Sequence, residues 1–232
     1  MNIADQIIDF NSNLQFPGKL PAGIRVMNPF REGPGIMDIM TQFYRKFYND
    51  RKPRQLIMGI NPGRLGSGAT GVPFTDTKRM WEKCGIEIKG LKTHEPSSVF
   101  VYDVIDAYGG VKPFYQQFYI SAVCPLGFTS QQPGGKEINY NYYDSTALTK
   151  AAYPFIVSKL KEQLEWNISR EVCYCMGTGK NAAFLQALNE KEKFFKEIIP
   201  LEHPRFVMQY KTKTKDEYIN KYLTAFESHA GR

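Results

Sequence analysis

The sequence predicts an α/β fold, in the form of a three-layer α/β/α sandwich around a short, mainly parallel, four-stranded central sheet. Short apolar runs alternate along the chain with segments whose apolar residues recur at helical spacing. This alternation predicts crossover connections, which place helices on both faces of a parallel sheet. Residues 1–232 contain no biased segment and no internal repeat, so we expect a single domain.

The N-terminal part of the chain predicts two helices and one strand. Apolar residues at helical spacing predict a first helix over residues 3–14, which ends before Pro17, and a second over residues 36–47. The apolar run at residues 55–60 is short and breaks into Asn-Pro-Gly, so it predicts a buried strand followed by a loop.

The middle of the chain predicts a helix and a second buried strand. Ser97 belongs to the residue types that cap helices, and the helix it begins is expected to run to Gly109. The apolar run at residues 118–124 predicts a strand, which Pro125 ends. The polar residues 130–141 predict a loop.

The C-terminal part predicts a long helix and two further strands. Residues 145–166 form a long helical stretch that is interrupted or kinked at Pro154. Residues 171–176 predict the third strand, and the Gly-Thr-Gly that follows leads into a helix. Residues 195–201 predict the fourth strand.

The charge balance restricts the partners of the protein. Lys and Arg total 30 against 23 Asp and Glu, a net charge of +7 that favours either nucleic acid or an anionic membrane surface. No apolar stretch is long enough to cross a bilayer and the sequence starts without a signal pattern, so we expect a cytoplasmic protein with no membrane partner. The four cysteines predict buried free thiols.

The loop after the first strand is the main candidate site, because functional loops lie at the carboxyl ends of parallel strands. Residues 59–63 read Gly-Ile-Asn-Pro-Gly; the glycines let the backbone approach a ligand closely and Pro62 restricts the loop. Asn before Pro-Gly is also common in turns, so a generic strand-exit loop is the alternative. A triphosphate-binding loop is disfavoured because no Gly-Lys-Ser/Thr closes it.

Two motifs and three further segments resemble the uracil-DNA glycosylase superfamily, in particular its single-strand-selective monofunctional branch. The loop at residues 59–63, followed by Thr-Gly-Val-Pro-Phe at residues 70–74, resembles the first active-site motif of that branch. Leu-Glu-His-Pro at residues 201–204 stands where the second, histidine-bearing motif belongs. The further segments, in the expected order, are residues 20–29, 95–98 and 123–126.

The resemblance implies a monofunctional DNA glycosylase that hydrolyses the N-glycosidic bond of uracil in DNA during base excision repair. The sugar develops oxocarbenium character, so the attacking water needs orientation more than activation, and Asn61 is the candidate for orienting it. The departing uracil carries negative charge on O2, which a hydrogen-bond donor stabilises, and His203 is that candidate. Neither role needs a metal or a cofactor, so we expect none.

The resemblance also implies a set of base-binding residues. Phe74 would stack on the extruded base. In the branch, an asparagine on the strand before Cys-Pro-Leu reads the amide edge of uracil, but this sequence has Ala122 there. Alanine makes no such hydrogen bonds, so either backbone groups substitute or the pocket accepts xanthine or hypoxanthine. The complete set is Gly59, Ile60, Pro62, Gly63, Phe74 and Ala122.

A basic segment follows the histidine motif and precedes a final helix, which the capping-box pair Thr214 and Glu217 is predicted to begin. Arg205 stands where the branch has a serine, and a guanidinium there suits a phosphate or an ordinary surface position. Alternating lysines suit contact with the DNA backbone, and a solvated basic loop is the alternative. The expected DNA-binding residues are Arg64, Arg205, Phe206, Lys211, Lys213 and Lys215.

Three functions remain open at this point. The first is a uracil-directed DNA glycosylase, and the second is a glycosylase directed at xanthine or hypoxanthine. The third is a non-catalytic DNA-binding protein of the same fold. In each case we expect damaged DNA as the partner and a monomer without an obligate protein partner.

Overall fold

The strands of the protein form two sheets in the computed structural model, which describes residues 1–132 and 134–229. The central sheet is formed by four parallel strands, and a smaller antiparallel sheet by three others. The strands are β1 (Ile24–Met27), β2 (Arg54–Gly59), β3 (Phe118–Ala122), β4 (Gly127–Gln131), β5 (Glu137–Tyr140), β6 (Ile168–Met176) and β7 (Glu197–Leu201). The central sheet has the order β3-β2-β6-β7, which confirms the predicted α/β fold.

Helices connect these strands. The helices are α1 (Ile3–Ser12), α2 (Pro29–Glu32), α3 (Ile36–Phe47), α4 (Ser67–Thr70), α5 (Thr77–Glu82), α6 (Pro96–Ala107), α7 (Val111–Gln117), α8 (Thr146–Leu164), α9 (Lys180–Glu192), α10 (Pro204–Tyr210) and α11 (Lys215–Glu227). A 3₁₀ turn, Thr212–Thr214, leads into α11. The four predicted strands correspond to β2, β3, β6 and β7.

Both faces of the central sheet are covered by helices. The ring of Tyr174 on β6 lies 4.8 Å from the ring of Phe226 on α11. The next residue, Cys175, accepts a hydrogen bond from Asn181 of α9 at 3.3 Å. Because successive residues of a strand point to opposite faces, α9 and α11 cover opposite faces of the sheet. The three-layer arrangement follows from this alternation.

The prediction of a polar loop over residues 130–141 is wrong, because two strands of the smaller sheet overlap this segment. Strand β4 pairs with both β1 and β5 in antiparallel register, in the order β1-β4-β5. These strands have four or five residues each, and most of their residues are not buried. Strands this short give too little alternation of apolar and polar residues to be recognised. The hairpin of β4 and β5 nevertheless supports the loop after β2.

One predicted helix start is wrong, and one predicted capping bond is absent although its helix starts where expected. Helix α6 begins at Pro96 with Glu95 as its N-cap, because proline is favoured at the first helical position; Ser97 therefore lies inside the first turn. Thr214 precedes α11 but makes no side-chain capping bond, since the 3₁₀ turn before it leaves its backbone at φ −115° and ψ 24° instead of extended. Of the two alternatives expected at Pro154, an interruption is ruled out, because α8 continues through this residue.

The core lies on both sides of the central sheet. Strand β2 is buried along its whole length, so the loop at its carboxyl end extends from a fixed base. All four cysteines are free and buried, as predicted. Among the helices of the described residues, none is both long and apolar enough to cross a membrane.

Candidate active site

A cavity of about 240 Å³ lies at the carboxyl ends of the central strands. The loops after β2 and β7 and the end of β3 contribute to its wall, as expected for a parallel sheet. The residues that bear on its chemistry are Asn61, Phe74, Glu95, Ala122, His203 and Arg205.

The side-chain amide of Asn61 is held by the backbone that follows β5. Its Oδ1 accepts a hydrogen bond from the backbone N–H of Tyr142 at 3.1 Å, and its Nδ2 donates to the carbonyl of Tyr140 at 3.4 Å. An amide oxygen has two lone pairs, so Oδ1 keeps one acceptor site for a further donor. The amide is therefore fixed in orientation and can still hold a water molecule.

Phe74 lies over the end of β2 because residue 59 is a glycine. A Cβ at Gly59 would lie 3.0 Å from Cε2 of the Phe74 ring, tighter than most Cβ contacts, so the ring would have to shift by a few tenths of an ångström. Phe74 itself has φ +50°, a left-handed conformation that is rare for an aromatic residue. Its ring centroid lies 5.8 Å from that of His203. Such local strain is typical of residues that a functional site holds in place.

His203 is the N-cap of α10, and this role determines where its ring carries a proton. Its Nδ1 accepts a hydrogen bond from the backbone N–H of Arg205 at 3.1 Å. Burial lowers the pKa of His203 to about 4, and the nearby Arg205 charge acts in the same direction. The ring is therefore neutral at pH 7, and with Nδ1 as an acceptor it carries its proton on Nε2.

The end of β3 offers no side-chain amide to the cavity. Ala122 pairs with Gly59 in the parallel ladder and is 7% exposed. The hydroxyl of the preceding Ser121 donates to Oε1 of Gln163 on α8 at 2.6 Å, so this hydroxyl is already engaged. The amide reader implied by the resemblance thus has no side-chain replacement at this strand end.

The eight residues expected to be catalytic or to bind the base share one cavity, whereas the expected DNA-contact residues are spread more widely. Arg205 lines both this cavity and an adjoining groove, which Phe206 also lines. Arg64 is exposed, and its Nε donates to Oδ1 of Asn139 at 3.2 Å. Lys211 and Lys213 are exposed outside the cavity. The cavity is lined by both expected catalytic residues, Asn61 and His203, and by all of the expected base-binding residues, which are Gly59, Ile60, Pro62, Gly63, Phe74 and Ala122.

Lys215 differs from the other two lysines of the basic segment. Its Nζ lies 2.6 Å from Oδ2 of Asp103 on α6, and the pair is only about one-third exposed. This ion pair ties the start of α11 to α6, which gives Lys215 a structural partner within the chain.

Several polar side chains in the cavity wall were not predicted as site residues, among them Glu95, Asn139 and Asn141. Glu95 belongs to a segment whose resemblance was noted, which was the available signal for it. Asn139 and Asn141 reach the wall only because β4 and β5 form a hairpin. Their position depends on strand pairing that the sequence pattern does not reveal.

Comparisons with known proteins identify the family of the chain. The family model described as the uracil DNA glycosylase superfamily matches residues 45–227, and the chain belongs to this superfamily. No curated protein sequence matches the chain. Among solved structures, the chain is similar to wild-type SMUG2 of Pedobacter heparinus, with 55% sequence identity, 98% of each chain covered and a TM-score of 0.97. The superfamily and the branch that the motifs resemble are thereby confirmed.

Proposed function

We propose that the protein is a monofunctional DNA glycosylase that removes uracil from DNA, the first step of base excision repair. The observation that carries this proposal is the neutral His203, which shares one cavity with Asn61 and Phe74. Together they supply the three requirements of the reaction, which are a donor for the leaving base, an oriented water and a stacking surface.

His203 acts on the leaving group. As the C1′–N1 bond lengthens, negative charge accumulates on O2 of uracil. The Nε2–H of the neutral ring donates to this oxygen, and the bond strengthens as the charge grows. Because Nδ1 is occupied by the N–H of Arg205, the ring is fixed in the tautomer that this role requires.

Asn61 acts on the water. Its Oδ1 accepts a hydrogen bond from a water molecule and directs the oxygen at C1′ of the sugar. The backbone N–H of Tyr142 fixes the amide, so little orientational freedom is lost when the water binds. The sugar already carries positive charge at this stage, and a neutral group therefore suffices.

The extruded base is held by Phe74, and the DNA strand by the surface beside the cavity. The Phe74 ring provides the face on which a flipped base stacks. Phe206 and Tyr210 are exposed with their ring centroids 5.6 Å apart, in the groove that adjoins His203. These rings suit the space that a flipped nucleotide leaves, and the exposed Lys211 and Lys213 suit backbone phosphates.

The proposal is tested by incubating the protein with uracil-containing single- and double-stranded oligonucleotides in chelator, followed by alkali. We expect alkali-labile sites at uracil with the wild type and a loss of about 100-fold or more in the Asn61→Ala variant. Full-rate cleavage by Asn61→Ala would contradict the site assignment. DNA binding without cleavage at any damaged base would instead support a non-catalytic protein.

A second candidate is a glycosylase directed at xanthine or hypoxanthine. It is favoured by Ala122, which lines the cavity without offering hydrogen bonds that would select uracil. The same assay with oligonucleotides that carry one uracil, hypoxanthine or xanthine each ranks the two candidates by their single-turnover rates.

A further inference from the structure

Glu95 lies in the wall of the cavity, and the uracil mechanism leaves it without a role. Its position is fixed at two points. The backbone N–H of Glu95 donates to Oδ2 of the buried Asp76 at 2.8 Å, and Ser98 Oγ donates to its Oε2 at 2.8 Å. The carboxyl group is therefore held in place before any ligand binds.

Two glycines make room for this carboxyl group. A Cβ at Gly66 would overlap Oε2 of Glu95, so a larger residue there would displace this carboxyl group. A Cβ at Gly63 would lie 3.9 Å from Oε1, which places this oxygen beside the loop that follows Asn61. Among the described residues, none donates a hydrogen bond to Oε1, and this oxygen is available to a ligand.

The proposed function determines which edge of a base this oxygen meets. The glycosidic bond lies at Asn61, and the acceptor beside that bond, O2 of uracil or N3 of a purine, lies at His203. The other side of the glycosidic bond then faces the loop at Gly63 and Glu95. In a purine that side carries C8–H and N7, whereas in uracil it carries C6–H and C5–H.

The surroundings of Glu95 raise the pKa of its carboxyl group, which makes the group a stronger proton holder than an ordinary glutamate. Burial raises the pKa of Glu95 and the Asp76 charge adds to this, against the Ser98 hydrogen bond and the Arg205 charge, which lower it. Three further charged or titratable side chains are neighbours of this group. Arg79 pairs with Asp76 at 3.1 Å, His94 lies 3.2 Å from Arg79, and the ring of His203 is neutral.

We propose that Glu95 is a general acid for deaminated purines, which donates its carboxyl proton to N7 of hypoxanthine or xanthine as the C1′–N9 bond breaks. The electron pair of that bond goes to the base, and the water held by Asn61 adds its oxygen to C1′. The proton that this water loses restores the carboxyl group. Uracil has no acceptor at this edge, so the proton donation is specific to purines. The inference rests on the proposed function and extends its substrate class.

The test compares Glu95→Gln with Glu87→Gln, an exposed glutamate on the same connection between α5 and α6. Glutamine keeps the shape of the side chain and cannot transfer a proton. Single-turnover rates are measured on hypoxanthine and on uracil in the same DNA sequence. We expect the ratio of the hypoxanthine rate to the uracil rate to fall by about 100-fold in Glu95→Gln and to stay at the wild-type value in Glu87→Gln.

Two further measurements separate acid catalysis from a structural effect. Hypoxanthine excision by the wild type is expected to slow as pH rises through the pKa of Glu95. Ser98→Ala removes a hydrogen bond that lowers this pKa, so the midpoint should move to higher pH. With 7-deazahypoxanthine, which has carbon in place of N7, the wild type and Glu95→Gln should react at equal rates.

The outcomes distinguish this inference from the proposed function. An unchanged rate ratio in Glu95→Gln, or an unequal reaction of the two proteins with the 7-deaza base, would overturn the inference. Excision of uracil but of neither purine by the wild type would overturn it and leave the proposed function intact. Excision of no base at all would overturn both.

Discussion

The Nδ1 atom of His203 accepts a hydrogen bond from the backbone N–H of Arg205, so one ring both caps helix α10 and offers a proton to the cavity. The cap leaves Nδ1 without a proton, and burial keeps the ring from becoming cationic. A local requirement of helix formation thus selects the tautomer that stabilises a departing base.

The pKa of about 4 for His203 predicts that uracil excision does not fall as pH decreases from 7 to 5.5 through loss of the neutral ring. The unfolded chain takes up this proton near pH 6.5, whereas the folded ring resists it until about pH 4. Stability should therefore decline as pH falls across that interval. An NMR titration of the His203 ring checks the value, and a midpoint near 6.5 would contradict it.

Gly59→Ala should displace the Phe74 ring, because the new Cβ would lie 3.0 Å from Cε2. We expect a loss of stability of about 1–3 kcal/mol and a lower single-turnover rate on uracil. The control is the same substitution made in a Phe74→Leu background and compared by thermal unfolding. If Gly59→Ala costs as much stability there as in the wild type, the close approach of residue 59 to Phe74 is not the cause.

Ala122→Asn should introduce the amide that the end of β3 lacks. Because Ala122 lines the cavity next to Gly59, we expect the preference for uracil over hypoxanthine to rise about tenfold. Ala122→Leu is the matched control, since leucine has a similar size and no amide. Equal changes in the two variants would show that volume, and not hydrogen bonding, determines the preference.

Lys211 and Lys213 are exposed, whereas Lys215 pairs with Asp103. Lys211→Ala and Lys213→Ala should each reduce the salt dependence of DNA binding by about 0.7–0.9 in the slope of log K against log salt. Lys215→Ala should change this slope less and lower the melting temperature instead. Binding titrations at several salt concentrations measure these slopes. Equal slopes for all three variants would contradict the predicted difference between Lys215 and the two exposed lysines.

Much of the site could be predicted because its main residues are contiguous in the sequence. Residues 59–63 and 201–204 each begin at the last residue of a strand, and parallel strands bring such ends to one edge of the sheet. The helical spacing of apolar residues predicted the long helices, and the apolar character of β2 predicted a strand of the central layer.

The supports of the site could not be predicted, because they depend on contacts between distant segments. Asn61 is held by Tyr140 and Tyr142, which the short hairpin of β4 and β5 brings to it. Glu95 enters the cavity because its backbone is anchored on Asp76, 19 residues earlier. Neither contact leaves a periodic pattern in the sequence.

In the proposed reaction a neutral His203 stabilises the departing base. The single-turnover rate of uracil release by His203→Asn is the most direct test of this role. Asparagine is itself an N-cap residue, so α10 keeps its cap while the Nε2–H donor is lost. We expect a rate at least about 100-fold below that of the wild type at pH 7.5 in chelator. A rate equal to that of the wild type, in a variant with the same melting temperature, would contradict it.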